Sequence, residues 1–423
     1  MGSSPNASGS SRRRAVTAAG EDPAPAGGGK EEELGREKKS RKKGSPSYYI
    51  RRRLGCVGDG AAGDERGTAG RGGAHLYQAA QEGGRIPTHL VIMVNGIIGS
   101  AGDWRFAAKH FVKKLPEDVI VHRSECNSNL LTLHGVDIMG ERLAKEVLSF
   151  VKRRPELRKI SFVGHSLGGL IARYAIARLY EPGLPQEAFE ANGNRKDHDA
   201  GVKHLEERSM GKIAGLEPMN FITFATPHLG ARWHRQMPFL CGFQLLERMA
   251  SRGSWILRRT GKHLFLNDKD EDKPPLLLRM IKDSEDLLFI SALRSFRRRV
   301  AYSNACSDHV VGWATSSIRR QHELPKREVF TRNKKYPHIV HVESPKAVTV
   351  EQDLPLDINT KTLDMQEAMI NGLNKVTWER VDVSFRKSKQ RLFAHTTIQV
   401  KTYWMNSDGA DVIFHMIDNF LLL

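Results

Sequence analysis

Lys159-Ile160-Ser161-Phe162-Val163-Gly164-His165-Ser166-Leu167-Gly168-Gly169-Leu170-Ile171-Ala172-Arg173-Tyr174 is the stretch from which the rest of the chain is read. A short apolar run leads into a serine flanked by glycines, and a helical pattern follows. Gly164, Ser166 and Gly168 form G-x-S-x-G, the spacing of a serine held on a sharp strand-to-helix turn. A serine hydroxyl is a weak nucleophile unless it is lifted clear of the backbone, near a base and at the positive end of a helix. Such a turn leaves no room for Cβ atoms two residues either side of the serine, and glycine fits there. The motif alone is weak, but its context strengthens it. Ile160, Phe162 and Val163 supply a buried strand, and Leu167, Leu170, Ile171, Tyr174, Ala175 and Leu179 recur at helical spacing.

Working outward, the same alternation of strand and helix repeats. His89-Leu90-Val91-Ile92-Met93-Val94 is a continuous apolar strand, as expected when both faces of a parallel sheet are covered. It enters the turn Asn95-Gly96-Ile97-Ile98-Gly99-Ser100, after which Asp103 is expected to cap a helix ended by Pro116. A glycine turn at the carboxyl end of a strand presents free N–H groups. Those of Ile97 and Leu167 are the candidate oxyanion donors. Strands follow at Val119-Ile120-Val121, Met219 to Ala225, Arg299 to Asn304 and Trp378 to Phe385, and a closing helix starts at Asp408 or Gly409. The expected fold is α/β: a doubly wound, mostly parallel sheet of α/β-hydrolase type with a helical cap insertion and a disordered N-terminal arm.

Length and composition set the outline. The 423 residues permit one large domain, residues 86–423, with insertions at about 181–217, 231–299 and 315–375. A hydrophobic share of 39% is low for a wholly globular chain, and residues 1–85, rich in Gly, Ala, Ser and basic clusters, read as a disordered arm. Such a run is most often a solvated tail; a membrane-surface or targeting role is the sharper alternative. The formal net charge of +18 calls for anionic partners, either nucleic acid or an anionic lipid surface. The basic residues are spread through arm and insertions with no recognition motif, so nucleic acid is the weaker of the two. Four scattered cysteines, Cys56, Cys126, Cys241 and Cys306, suit a reducing compartment.

No run of about 20 apolar residues predicts a membrane span, and no secretory signal opens the chain. The expectation is a cytoplasmic protein, peripheral to membranes or lipid droplets. A plastid leader is the alternative, opposed by Glu31-Glu32-Glu33. Residue 6 is Asn6, which rules out the Ser or Thr of a myristoylation motif. In the 231–299 segment, Phe239 to Leu257 and Leu276 to Leu293 carry more helical apolar surface than a connection needs. They are read either as helices on the sheet or as a cap lining an acyl pocket.

A serine nucleophile needs a base and an acid that orients it, and in this strand order both follow the serine on loops at strand ends. Asp308 directly follows the strand ending at Asn304 and is the candidate acid. His395 lies between the last strand and the closing helix and is the candidate base; His309 precedes that strand and His415 sits inside the helix. His228 reads as structural, beside Pro227 and Gly230. His338 and His341 lack a further ligand cluster, so no metal and no cofactor is expected.

With these residues in hand, the chain resembles the eukaryotic serine esterase/lipase group of the α/β-hydrolase superfamily known as a domain of unknown function in plants and fungi. The resemblance rests on Val94 to Gly99, Gly135-Val136 through Leu143, Gly164 to Gly169, Ala225 to Gly230 and Tyr302-Ser303-Asn304 through Asp308, and covers about residues 87–312 and the last 45 or so. It implies lipase or esterase activity on acylglycerols or phospholipids, with Ser166 as nucleophile, Asp308 as acid and His395 as base. Many members carry His where this chain has Asn95, which bears on the second oxyanion donor. A catalytically silent lipid- or protein-binding scaffold on the same fold is the rival, motivated by Asn95 and the insertions.

Overall fold

Within His89–Val94, all six residues are buried, and their side chains alternate between two separate cores. Leu90, Ile92 and Val94 join one core, Val91 and Met93 the other. Successive side chains of a strand point to opposite faces, so a continuous apolar run is what a sheet covered on both sides requires. The computed structural model describes residues 76–77, 86–183, 211–231, 257–269, 273–331, 333–345 and 362–423. All of these fall in the unit Arg66–Leu423. Apart from residues 76–77, the expected arm lies outside the described residues, as does the greater part of the 181–217 insertion.

The strands are β1 (Leu76–Tyr77), β2 (His89–Val94), β3 (Val119–Arg123), β4 (Lys159–His165), β5 (Tyr180–Glu181), β6 (Lys212–Ile213), β7 (Glu217–Phe224), β8 (Arg298–Asn304), β9 (Ile339–Glu343) and β10 (Glu379–Val383). Eight of them form one sheet in the order β1-β3-β2-β4-β7-β8-β10-β9, while β5 and β6 make a separate ribbon. The inner strands pair in parallel; β1 and β9 pair antiparallel at the two edges. From β2 the chain steps outward to β3, then returns past β2 to β4. This reversal sets the carboxyl ends of β2 and β4 side by side, the place where open α/β sheets bind ligands.

Helix α1 (Arg105–Lys114) and the closing helix Ala410–Asp418 cover one face, through Ala107, Phe111, Val412 and Met416. Helices α2 (Val136–Lys152) and α3 (Leu167–Leu179) cover the other, with Phe289–Arg294 and Thr362–Leu373 behind them. Each fully buried aliphatic or aromatic side chain contributes roughly 1.5–3 kcal/mol. Helix α3 is apolar almost all round because sheet, α2 and Phe289–Arg294 enclose it. Its buried Arg173 donates to the carbonyl of Met280 at 2.8 Å, which satisfies a charge in the core. The described part of 231–299 also packs here: Leu276, Leu277, Phe289, Ile290 and Leu293 all join the first core.

Three local features differ from the sequence reading. Ser100, not Asp103, accepts the cap hydrogen bond, from Gly102 N–H; Asp103 lies inside the short 3-10 helix Ala101–Trp104 and pairs with Lys401 at 3.3 Å. A serine oxygen in extended backbone reaches the N–H two residues on, whereas Asp103 comes a turn too late. The polar stretch 315–375 carries β9 and the helix Thr362–Leu373. As an edge strand β9 keeps only one residue, Ile339, fully buried, so it lacks the apolar run of the inner strands. His395 lies in a one-turn helix, Ala394–Thr397, rather than in an open loop.

Candidate active site

Ser166 ends β4 and precedes α3 with φ 53° and ψ −126°, outside the regions an L residue normally occupies. Such a residue costs on the order of 1–3 kcal/mol and persists only where its surroundings hold it. Here they do. Ser166 N–H donates to Phe224 O at 2.8 Å, which carries the sheet ladder past the strand end. The glycines let α3 descend onto the sheet. A Cβ on Gly168 would lie 2.3 Å from Val94 O, and one on Gly164 would lie 2.7 Å from Gly169 Cα. Both are closer than real Cβ atoms come, so the two glycines singled out by spacing are required by the approach of backbone to backbone.

The three candidate side chains, far apart in the chain, meet at this edge. His395 Nε2 lies 3.0 Å from Ser166 Oγ, and His395 Nδ1 lies 3.0 Å from Asp308 Oδ2. Asp308 is held on every side: Oδ1 accepts from Val310 and Val311 N–H at 2.9 Å each, and Oδ2 accepts from Asn304 Nδ2 at 2.8 Å. Burial alone would raise this carboxyl. His395, the Val311 N–H and Asn304 outweigh that and hold it below the usual carboxylate range. An ionised carboxylate then faces Nδ1, which fixes the proton there and leaves Nε2 to accept from the serine.

On the donor side, Leu167 opens α3, where the first N–H groups of a helix have no acceptor within it. In the turn after β2, Ile98 N–H is engaged by Thr132 Oγ1 at 2.8 Å, while Ile97 N–H has no partner among the described residues. Asn95 braces this turn: Nδ2 donates to Asn127 O at 3.0 Å and to Gly96 O at 3.1 Å. It therefore orders the backbone through carbonyls, a role in which an amide suffices.

The remaining histidines are placed elsewhere. His228 is buried against Thr223 Oγ1 at 3.0 Å, and burial drives its pKa far down. His415 packs in the second face against the Tyr302 hydroxyl at 2.9 Å. His338 and His341 face separate carboxylates, Asp411 and Asp382. His309 makes no hydrogen bond among the described residues to the Ser166, His395 and Asp308 group. His165 is the residue that the sequence reading passed over, although it sits inside the motif: its Nε2 lies 2.7 Å from the carbonyl of His395. Asn304 is a second, quoted only as part of a motif before Asp308.

Ser166, His395 and Asp308 thus form a linked donor–acceptor chain beside two N–H groups unengaged among the described residues, an arrangement able to move a serine proton and receive an oxyanion. The family model described as Putative serine esterase (DUF676) matches residues 85–318, a span that contains Ser166 and Asp308 and stops short of His395. The chain is 31% identical over 235 residues to the Saccharomyces cerevisiae protein Putative lipase ROG1, covering 54% of this chain and 28% of that protein. It is 25% identical over 241 residues to Putative lipase C4A8.10 of Schizosaccharomyces pombe, covering 55% and 26%. The chain thus spans less than a third of the length of these relatives. A solved Bacillus licheniformis lipase, BlEst2 in propeptide form, aligns at 13% identity and a TM-score of 0.30, over 54% of this chain and 39% of its own. The family match covers more than half of the chain and meets the sheet order and the serine turn at the same residues: the chain belongs to the family of the Putative serine esterase (DUF676).

Proposed function

We propose that the protein is a serine ester hydrolase that cleaves lipid acyl esters, phospholipid esters included, through Ser166, His395 and Asp308. The observation that carries this is the pair of 3.0 Å contacts running from Ser166 Oγ through His395 to Asp308. In the reaction, His395 Nε2 takes the Ser166 proton as Oγ bonds to the acyl carbonyl carbon. The oxyanion is received by the N–H groups of Ile97 and Leu167. Collapse breaks the bond to the alcohol oxygen, which leaves with the proton from Nε2. Water, deprotonated in turn by His395, then attacks the acyl-serine and releases the carboxylic acid.

Exposed apolar residues beside the site support a lipid substrate. Ile98 lies in the oxyanion turn, and Leu130 lies on the segment tied to it by the Asn129 N–H to Gly99 O bond at 2.8 Å. Leu392, 69% exposed, and Phe393 lie three and two residues before His395, in the order Leu392-Phe393-Ala394-His395. Arg386, Lys387, Lys389 and Arg391 stand exposed on the same segment, which supports peripheral contact with an anionic lipid surface. Among the described residues no helix is long and apolar enough to cross a membrane.

The test is purified protein assayed with p-nitrophenyl esters and phospholipids, alongside fluorophosphonate labelling with peptide mapping. Wild type is expected to turn over ester and to be labelled at Ser166, and Ser166→Ala to lose both. A folded wild type that neither hydrolyses nor labels would favour the silent-scaffold reading. Activity or labelling that persists in Ser166→Ala would remove Ser166 from its role.

A further inference from the structure

Arg105 and Lys109 lie one turn apart on the same face of α1, and neither has an ion-pair or hydrogen-bond partner among the described residues. Like charges at this spacing repel and weaken a helix. They border a half-open cleft of about 680 Å³ between α1, the segment Val400–Tyr403 and the start of the closing helix. The walls are aromatic. Phe106 stacks on Tyr403 with ring centroids 5.1 Å apart and lies 6.0 Å from Phe414, and His110 meets Phe414 edge-on at 5.1 Å. Tyr403 and Phe414 remain substantially exposed, so these rings are assembled without being covered. The third cation, Lys401, is offset by Asp103 at 3.3 Å, which leaves Arg105 and Lys109 as the charges uncompensated among the described residues. None of Ser166, Asp308 or His395 lines the cleft.

We propose that this cleft is a separate binding site for a monomeric amphipathic anion, with its head group on Arg105 and Lys109 and its apolar body between Phe106, Tyr403 and Phe414. The volume lies within the range of small-molecule sites, and apolar walls with a few polar groups at one end are the usual form of one. Charge complementarity selects an anion; the aromatic walls select an anion with an apolar tail over a bare phosphate or sulfate. The site neighbours the base: Lys401 N–H donates to Thr396 O at 3.1 Å, and Asn406 Nδ2 donates to the hydroxyls of Thr396 and Thr397, which follow His395. The inference does not depend on ester hydrolysis, because binding is read without turnover.

Decanoate, below its micelle concentration, serves as the probe in calorimetric titration of full-length Ser166→Ala protein, with decanol as the uncharged control. Saturable one-site decanoate binding is expected, with decanol at least ten-fold weaker. Arg105→Glu/Lys109→Glu is expected to weaken decanoate at least ten-fold at an unchanged melting temperature. Arg105→Gln/Lys109→Gln supplies the milder variant if the reversal fails to fold. Wild type blocked at its reactive serine by a fluorophosphonate should bind decanoate as before. Equal affinity for decanol, no effect of either double variant, or loss of binding on labelling would overturn the proposal. So would binding to phosphatidylcholine–phosphatidylserine vesicles without binding of monomeric decanoate, which would make the face a membrane contact.

Discussion

His165 donates from Nε2 to the main-chain carbonyl of His395 at 2.7 Å, and the two imidazoles lie 4.8 Å apart. The acceptor is a carbonyl, so the proton sits on Nε2 of His165. Burial, and then the neighbouring His395, push the His165 pKa far below the ordinary imidazole value and keep it neutral. The residue before Ser166 therefore anchors the segment that carries His395.

In the proposed hydrolysis His165 would act as a positioning residue. His165→Ala is expected to lower kcat on a soluble ester about 10- to 100-fold with KM little changed, since small displacements of a reacting group cost that much. His165→Gln, whose amide can still donate, should recover part of the loss. Wild-type kcat in His165→Ala would refute the role.

Asp308→Asn is expected to reduce kcat by roughly 10⁴, the scale found when the acid of a serine triad is made an amide and the imidazole tautomer is no longer fixed. The Asn oxygen can still accept from Val310 and Val311, so the melting temperature should fall only by a few degrees. Stopped assays beside thermal unfolding check both halves. Retained activity would point to another acid.

Five buried histidines make the fold acid-sensitive, His263 among them, its pKa lowered first by burial. Burial, and then Lys159, lower His89 to about 3. Burial, and then Arg298, lower His415 to about 4. Burial drives His165 and His228 well below the normal value. Unfolded imidazoles titrate near pH 6.5, so below that pH the unfolded chain takes up protons that the folded chain refuses. Stability is full above about pH 6.5 and falls as pH drops toward the folded values. Near pH 5.5 the slope should amount to several protons, on the order of a few kcal/mol per pH unit. Denaturant unfolding at pH 7.5, 6 and 5 measures it, and a slope of one proton or less would contradict the account.

Gly168→Ala and Gly215→Ala separate close approach from backbone conformation. At Gly168 the added carbon meets Val94 O at 2.3 Å and Asn95 O at 2.7 Å, so α3 must shift and carry Ser166 with it. A stability loss of about 1–3 kcal/mol with loss of activity is expected. Gly215 has φ +74° and open space around it, so alanine there should cost about 1–2 kcal/mol and leave activity intact. Equal activity in the two variants would show that the approach of α3 to β2 does not position the serine.

The inner sheet and the serine turn were legible because their signals are local. Runs such as His89–Val94 and Lys159–His165 are apolar throughout, and Gly164, Ser166 and Gly168 stand at fixed spacing. Asp308 and His395 became candidates through their order along the chain, and the fold links both to Ser166 through 3.0 Å contacts. Strand β9 was not legible, because what binds it to the sheet is polar and distant. Arg319 bridges Asp382 of β10 and Glu343 of β9, and His341 adds a bond to Asp382 at 3.0 Å.

By itself the sequence determined the inner strands and which residues after them are candidates for the chemistry, since periodicity and turn spacing are written within a dozen residues. Only the tertiary structure decided that Asn304 steadies Asp308, that His165 anchors the His395 segment, and that two cations without a partner among the described residues share a cleft with three aromatic rings. These are contacts between side chains up to hundreds of residues apart. Hydrogen bonds and charges act over a few ångströms of space, and only the folded chain sets that distance.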